Sequence, residues 1–178
     1  FLSFGFSPRL ECEKIKYLSI INMYKLPSTI QTNRFQFNYY KWLEGRKTED
    51  AMRPFIEKFF DCKFHRQDDG LVIDPKNPPI EVFDKLDFRN EEKKIIVEIK
   101  GRTCRASQFY DTIITTGKIE EAKEDIKNGW SVYYLFKFRD IAKIIRQPDE
   151  VVWDTKITGT FHIPHYLIPV NSMDKFNI

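Results

Sequence analysis

Apolar and polar positions recur along the chain with two periods, and the order of those periods predicts a mixed α/β domain. Helical spacing indicates an aromatic-rich helix over Arg34–Leu43, a second helix from about Thr48, and a third over Lys118–Lys127. Gly45 is expected to break the first helical region, and Pro54 to kink the second helix or mark its true start, because proline has no donor N–H. The succession of helix, hairpin, helix and buried strand predicts helices packed on one mixed sheet.

Period-two alternation and runs of β-branched or aromatic residues predict the strands. Ile80–Phe88 and Lys93–Lys100 are predicted to form a hairpin, and Trp130–Phe138 is long and apolar enough to lie at the centre of the sheet. Shorter strands are predicted at Leu71–Ile73, Val151–Trp153, Thr160–Ile163 and Tyr166–Val170. The domain organisation expected from these elements is a single domain over 23–178, preceded by an N-terminal extension over 1–22.

The second strand of the predicted hairpin carries charge where burial is expected. Alternation along Lys94–Lys100 separates two faces, one with Ile95, Val97 and Ile99 and the other with Ile96, Glu98 and Lys100. Burying a charge is costly unless the charge is paired or binds a metal. With Asp87 nearby, these residues supply acids that hold a hard divalent cation and an ammonium that orients water and offsets phosphate charge. That combination is typical of metal-assisted phosphodiester hydrolysis.

Asp87, ten intervening residues and Glu98-Ile99-Lys100 resemble the signature of the PD-(D/E)XK nuclease superfamily, in which an acid is followed after a variable gap by Asp/Glu-x-Lys. Leu86 replaces the proline of the strict signature. A solvated ladder of Glu and Lys side chains is the plain structural alternative to this reading.

The flanking sequence resembles a subset of small nucleases from large DNA viruses and phages. The similar segments are Gly101-Arg102, the Tyr/Thr-rich run Phe109–Ile119 and the closing strand His165–Val170, and the likeness spans roughly Lys47–Val170. This resemblance implies a restriction-endonuclease-like fold, a mixed β-sheet flanked by helices, and hydrolysis of DNA dependent on Mg²⁺, with Mn²⁺ as a substitute.

The resemblance also implies roles for particular residues. Asp87, Glu98 and the backbone carbonyl of Ile99 are expected to hold the metal, with Glu49 on the first helix as an extra metal ligand. Lys100 is expected to orient or activate the attacking water, and Lys118 to contact the scissile or adjacent phosphate. The basic residues expected to meet other phosphates without base preference are Lys85, Arg89, Lys93, Arg102 and Arg105. The structural alternatives are an acid favoured by the helix dipole for Glu49 and an exposed first-turn lysine for Lys118.

The choice of aspartate depends on the strand register. If Phe88 pairs with Lys93, Asp87 lies four residues along the strand from the position opposite Glu98, roughly 13 Å away. A loop one residue longer places Asp84 opposite Glu98 instead. Asp87 is preferred because strands of the resembled family fork at the aspartate, and Asp84 stays open as the alternative.

Composition sets the outer limits of the interpretation. A net charge of +3 is too mild to indicate a nucleic-acid partner by itself, but 85–105 contains seven basic and four acidic residues around the proposed site. The cysteines, Cys12, Cys62 and Cys104, have no metal-type spacing, which favours a reducing, intracellular setting. With no run of transmembrane length and no signal peptide, we expect a protein that is neither membrane-bound nor secreted, in the host cytoplasm or nucleus or packaged in a virion.

Two other function classes stay open at this stage. One is an inactive nuclease-fold module that binds nucleic acid or a protein partner, and the other is an RNA-cleaving member of the superfamily, for which His65 is the candidate metal ligand. The expected partner is DNA, and a homodimer is also compatible with the sequence. Aromatic residues that stack single-stranded bases, or alternatively form core, are Phe35, Phe37, Tyr39, Tyr40 and Trp42.

Overall fold

The computed structural model describes residues 39–67, 85–158 and 163–178. In these ranges the chain forms two α-helices, α1 (Tyr39–Phe60) and α2 (Thr116–Lys127), together with nine strands and a 3₁₀ turn, Val170–Ser172. The strands are β1 (His65–Arg66), β2 (Phe88–Asn90), β3 (Ile95–Gly101), β4 (Asp111–Thr115), β5 (Ser131–Lys137), β6 (Ala142–Arg146), β7 (Thr155–Thr158), β8 (Ile163–Pro169) and β9 (Asp174–Phe176). The predicted α/β class is confirmed.

The strands form a six-stranded mixed sheet, in the order β1-β2-β3-β5-β6-β9, and a three-stranded sheet, in the order β4-β8-β7. In the larger sheet β3 and β5 are parallel, and the other neighbours are antiparallel. The crossover from β3 to β5 passes through β4 and α2. The amino-terminal end of α2 therefore returns to the carboxyl-terminal end of β3, where Glu98 and Lys100 lie.

Core clusters cover both faces of the large sheet. On one face, Met52 and Ile56 of α1 join a cluster with Val97 and Ile99 of β3. On the opposite face, Ile96 joins a cluster that includes residues of α2 and the smaller sheet. The predicted alternation along β3 is confirmed, and Glu98, which shares the face of Ile96, is fully buried.

The predicted break at Gly45 and kinked or delayed start at Pro54 are wrong, because α1 continues through both residues. Glycine and proline disfavour a helix interior by about 1 and about 3 kcal/mol. Burial of an aliphatic side chain contributes about 1.5–3 kcal/mol, and Met52 and Ile56 are both buried against β3. Tertiary packing thus offsets the local preference.

Some of the predicted elements are confirmed and others are wrong. A hairpin is present as β2–β3, but the predicted bounds of its first strand are wrong. That strand is Phe88–Asn90, residues 85–87 are not in a strand, and 80–84 lie outside the described residues. The central position of Trp130–Phe138 and the helix over Lys118–Lys127 are confirmed as β5 and α2. Val151–Trp153 is not a strand, and the sequence reading did not predict β1, β4, β6, β7 or β9. The residues outside the described ranges include 1–38, Leu71–Ile73 and most of Thr160–Ile163. No helix of the described ranges is long and apolar enough to cross a membrane.

Candidate functional site

The turn between β2 and β3 sets the register that brings the two acids together. Phe88 pairs with Val97 and Asn90 with Ile95, so the pairing of Phe88 with Lys93 considered from the sequence is wrong. Asn90 organises the turn, because its Oδ1 accepts a hydrogen bond from the amide of Lys93 at 2.7 Å. The residue that precedes β2, Asp87, therefore lies beside Glu98 without any bulge in the described pairing.

Two backbone amides lock the carboxylates of Asp87 and Glu98 into place. The amide of Asp87 donates to Oε2 of Glu98 at 3.2 Å, and the amide of Ile99 donates to Oδ2 of Asp87 at 2.7 Å. Each carboxylate thus binds the backbone of the strand that carries the other. The alternative aspartate, Asp84, lies outside the described residues.

Two lysines converge on Glu98 from different elements. The ammonium of Lys100 contacts Oε1, and the ammonium of Lys118, from the first turn of α2, lies 3.3 Å from Oε2. Lys118 also donates to the backbone carbonyl of Lys85. The alternative of an exposed first-turn lysine is therefore wrong, since only 11% of the Lys118 side chain is exposed.

The ionisation of these groups follows from burial and charge. Burial by itself raises the pKa of Glu98, but the charges of Lys100 and Lys118 outweigh burial and hold the pKa below its ordinary value. Burial, followed by the charge of Glu98, raises the pKa of Asp87 from 3.8 to about 8. Burial lowers the pKa of Lys100, yet the charges of Glu98 and Asp87 reverse this effect and raise the pKa. Lys100 is therefore a stable ammonium ion in the metal-free site.

Helix α1 supplies the opposite wall. It crosses close to the end of β3, since Thr48 Oγ1 is 3.5 Å from the position that a Cβ on Gly101 would occupy. The next residue, Glu49, lies 3.2 Å from Arg66 of β1 and 3.7 Å from Arg46. Burial is the largest effect on Glu49 and raises its pKa, with the charge of Glu98 acting in the same direction.

One cavity of about 220 Å³ is bordered by Asp87, Glu49 and the lysines, whereas Glu98 is fully buried and does not line it. Its lining residues are Trp42, Gly45, Arg46, Glu49, Gln67, Lys85, Leu86, Asp87, Lys100 and Lys118. Sequence reasoning did not single out Arg46, Arg66 or Gln67. Helical spacing from Glu49 could have suggested Arg46, whereas no sequence signal connects 66–67 with the hairpin.

The donor chemistry of this site fits a hard divalent cation. Carboxylate oxygens are the preferred ligands of Mg²⁺, and an acid whose pKa is raised by burial and by a neighbouring carboxylate, as for Asp87, gains from a neutralising ion. Oε1 of Glu98 is also buried without a hydrogen bond among the described residues, although it contacts Lys100. In the described ranges, no group of three or more His, Cys, Asp and Glu side chains is already arranged to hold a metal.

The proposed phosphate-binding residues have different surroundings. Arg89 bonds to Glu91 and Asp125 and lies 3.6 Å from the Trp130 ring centroid. Arg102 donates to Thr112, Gly101 and Ile113, and burial lowers its pKa. Lys93 donates to the carbonyls of Phe60 and Asp61 at the end of α1. Lys85 and Arg105 are exposed. The first three residues thus fasten elements together, and the last two present charge to solvent.

His65, the candidate ligand for RNA-type chemistry, is exposed in β1 opposite Arg89 and does not border the cavity. Cys62 and Cys104 are free thiols. Among the aromatic residues proposed to stack bases, Trp42 is the one whose side chain the structure describes.

No family model, curated protein or solved structure matches the chain.

Proposed function

We propose that the chain is a Mg²⁺-dependent deoxyribonuclease with a restriction-endonuclease-like core. The observation that carries this proposal is the joint placement of Asp87, Glu98 and Lys100 at the end of two paired strands. Two carboxylates tied to the backbone are a rigid ligand pair, and rigid placement is what catalytic ligands require. Pairing for stability alone is a weak explanation, because buried ion pairs often contribute little net stability.

Asp87, Glu98 and the carbonyl of Ile99 would hold the metal, and Glu49 faces them from α1. When bound, Mg²⁺ supplies charge neutralisation at the phosphate and a more acidic water. The ammonium of Lys100 orients that water by donating hydrogen bonds. In the metal-free site the charges of Glu98 and Asp87 raise the pKa of Lys100, which favours this ammonium form.

The position of Lys118 also supports a role at the phosphate. Its ammonium borders the cavity from α2 and faces the same carboxylate as Lys100. Negative charge accumulates on the phosphoryl oxygens during hydrolysis, so a positioned cation lowers the barrier. Water would attack phosphorus, the bond from phosphorus to the leaving sugar oxygen would break, and the proton lost by the water would be balanced by protonation of the leaving oxygen.

The proposal is tested by incubating the protein with supercoiled, linear duplex and single-stranded DNA and with RNA of matching sequence. We expect cleavage of at least one DNA with Mg²⁺ or Mn²⁺ and none with a chelator. RNA cleavage without DNA cleavage would favour the RNA-cleaving class. Metal-independent binding to DNA without cleavage of either polymer would favour the binding module.

A further inference from the structure

The wall of the cavity formed by α1 has a composition that the metal-binding acids do not explain. Trp42, Gly45, Arg46 and Glu49 follow the spacing of one helical face and all border the cavity. Glu49 faces the acids, whereas Trp42 and Arg46 continue the same wall towards the amino-terminal end of the helix. An indole beside a guanidinium in a charged cavity is unusual for a metal site alone.

Trp42 and Arg46 form a cation–π pair, and Arg46 also lies 3.7 Å from Glu49. The guanidinium carbon of Arg46 lies 5.0 Å from the centroid of the Trp42 ring. Trp42 is half-buried and belongs to neither core cluster of the described residues. A guanidinium that stacks on an aromatic ring presents its N–H donors at its edge, in the geometry that meets a phosphate.

The size of the cavity limits which part of a nucleic acid enters it. About 220 Å³ is smaller than the roughly 300–1,000 Å³ typical of pockets for drug-sized ligands. If a phosphodiester group occupies the cavity beside Asp87 and Lys118, we expect the attached base to lie along the wall formed by α1. Gly45 lies between Trp42 and Arg46–Glu49 and adds no side chain to that wall.

We propose that Trp42 and Arg46 form a nucleotide subsite, which receives an unpaired nucleotide next to the cleaved bond and makes the site selective for single-stranded DNA. The inference rests on the proposed nuclease function, since it takes the cleaved phosphate to lie at the acids. Bases stack on aromatic rings and on guanidinium planes without sequence preference. In a duplex both faces of each base are covered by its neighbours, so only an unpaired base gains this contact.

The test measures strand preference in a background that cannot cleave. In Glu98→Ala, we expect a single-stranded 20-mer to bind more tightly than its blunt duplex at equal salt. Adding Trp42→Ala should weaken single-strand binding about 5- to 140-fold, the range expected for one stacked base, with little effect on the duplex. Trp42→Phe keeps a ring and should retain most of the preference. Trp153→Phe, which alters an aromatic residue packed on Tyr134 and Tyr166, is the matched control.

An unchanged ratio of single-strand to duplex affinity in Trp42→Ala would overturn the subsite. If Trp42→Ala does not fold, Arg46→Lys is measured instead, because lysine keeps the charge but has no planar guanidinium. An unchanged ratio of single-strand to duplex affinity in Arg46→Lys would then overturn the subsite. Cleavage by the parent protein is recorded separately. Metal-dependent cleavage by the parent, with a ratio of affinities that Trp42→Ala leaves unchanged, would reject the subsite alone. Absence of cleavage, with a ratio that Trp42→Ala abolishes, would reject the nuclease and leave a binding site for an unpaired base with no cleaved bond beside it.

Discussion

Asp87 and Glu98 are joined through the backbone rather than side chain to side chain. The amide of Asp87 donates to Glu98 at 3.2 Å, and the amide that follows Glu98 donates to Asp87 at 2.7 Å. This reciprocal arrangement fixes two carboxyl groups close together, and both ionise only when cations offset the repulsion between them. Two lysines supply that offset for Glu98, and the proposed metal supplies it for Asp87.

The raised pKa of Asp87 predicts a pH-dependent stability of the metal-free protein. The groups that act on it are Glu98 and Glu49, which raise its pKa, and Lys100 and Lys118, which lower it. Because burial and Glu98 bring its pKa to about 8, the folded state holds a proton that the unfolded state releases near 3.8. The free energy of unfolding should therefore fall as pH rises between about 4 and about 8.

Thermal unfolding with a chelator at several pH values measures this effect. Asp87→Asn should lose the Asp87 component of the slope, whereas Asp174→Asn, which alters an exposed residue of β9, should keep it. Mg²⁺ binding should release a proton below about pH 8, because the metal requires the ionised carboxylate. Identical pH profiles for the parent and Asp87→Asn would contradict the assigned ionisation.

Lys118→Ala should slow cleavage by about 100-fold, the scale found when one electrostatic contact to a transition state is removed. If Lys118 contacts a phosphate of duplex DNA, the variant's plot of log affinity against log salt concentration should be shallower by about 0.9. Lys123→Ala is the matched control on the same helix, because Lys123 pairs with Glu120 at 2.8 Å and does not border the cavity. Equal rates for both variants would exclude the phosphate role.

The basic residues should separate into DNA-binding and structural groups. Lys85→Ala and Arg105→Ala should each reduce the salt slope of duplex binding by about 0.9 and leave the unfolding temperature unchanged, because both side chains are exposed. Arg89→Ala should lower the free energy of unfolding by about 1 kcal/mol, since it removes ion pairs and contact with Trp130. If Arg89→Ala reduced the salt slope of DNA binding and Lys85→Ala and Arg105→Ala did not, the division into DNA-binding and structural residues would be reversed.

The sequence predicts the local parts of this structure better than its connections. Alternation along β3 identifies Glu98 as buried, and the apolar run of β5 identifies the centre of the sheet, because both signals come from neighbouring residues. The short strands at β1 and β9 have two or three residues, which is too few for a period to be recognised.

The geometry of the site also depends on contacts that the sequence pattern does not predict. Pairing of Asp87 with Glu98 depends on the Asn90 side chain accepting from Lys93 and on the left-handed φ of 50° at Lys94. Neither feature follows from alternation, so the register assumed from the sequence is wrong. Arg66 reaches Glu49 because β1 joins the edge of the sheet beside α1, a tertiary contact that local spacing does not encode.

The most direct measurement is single-turnover cleavage of DNA by the parent protein and by two isosteric variants, Glu98→Gln and Glu91→Gln. Glu98 is fully buried between two lysines, and Glu91 is an exposed acid of the neighbouring turn. We expect Mg²⁺-dependent cleavage by the parent and by Glu91→Gln, and none by Glu98→Gln, with all three folded and able to bind DNA. Cleavage by Glu98→Gln at the rate of the parent would contradict the assignment of this site.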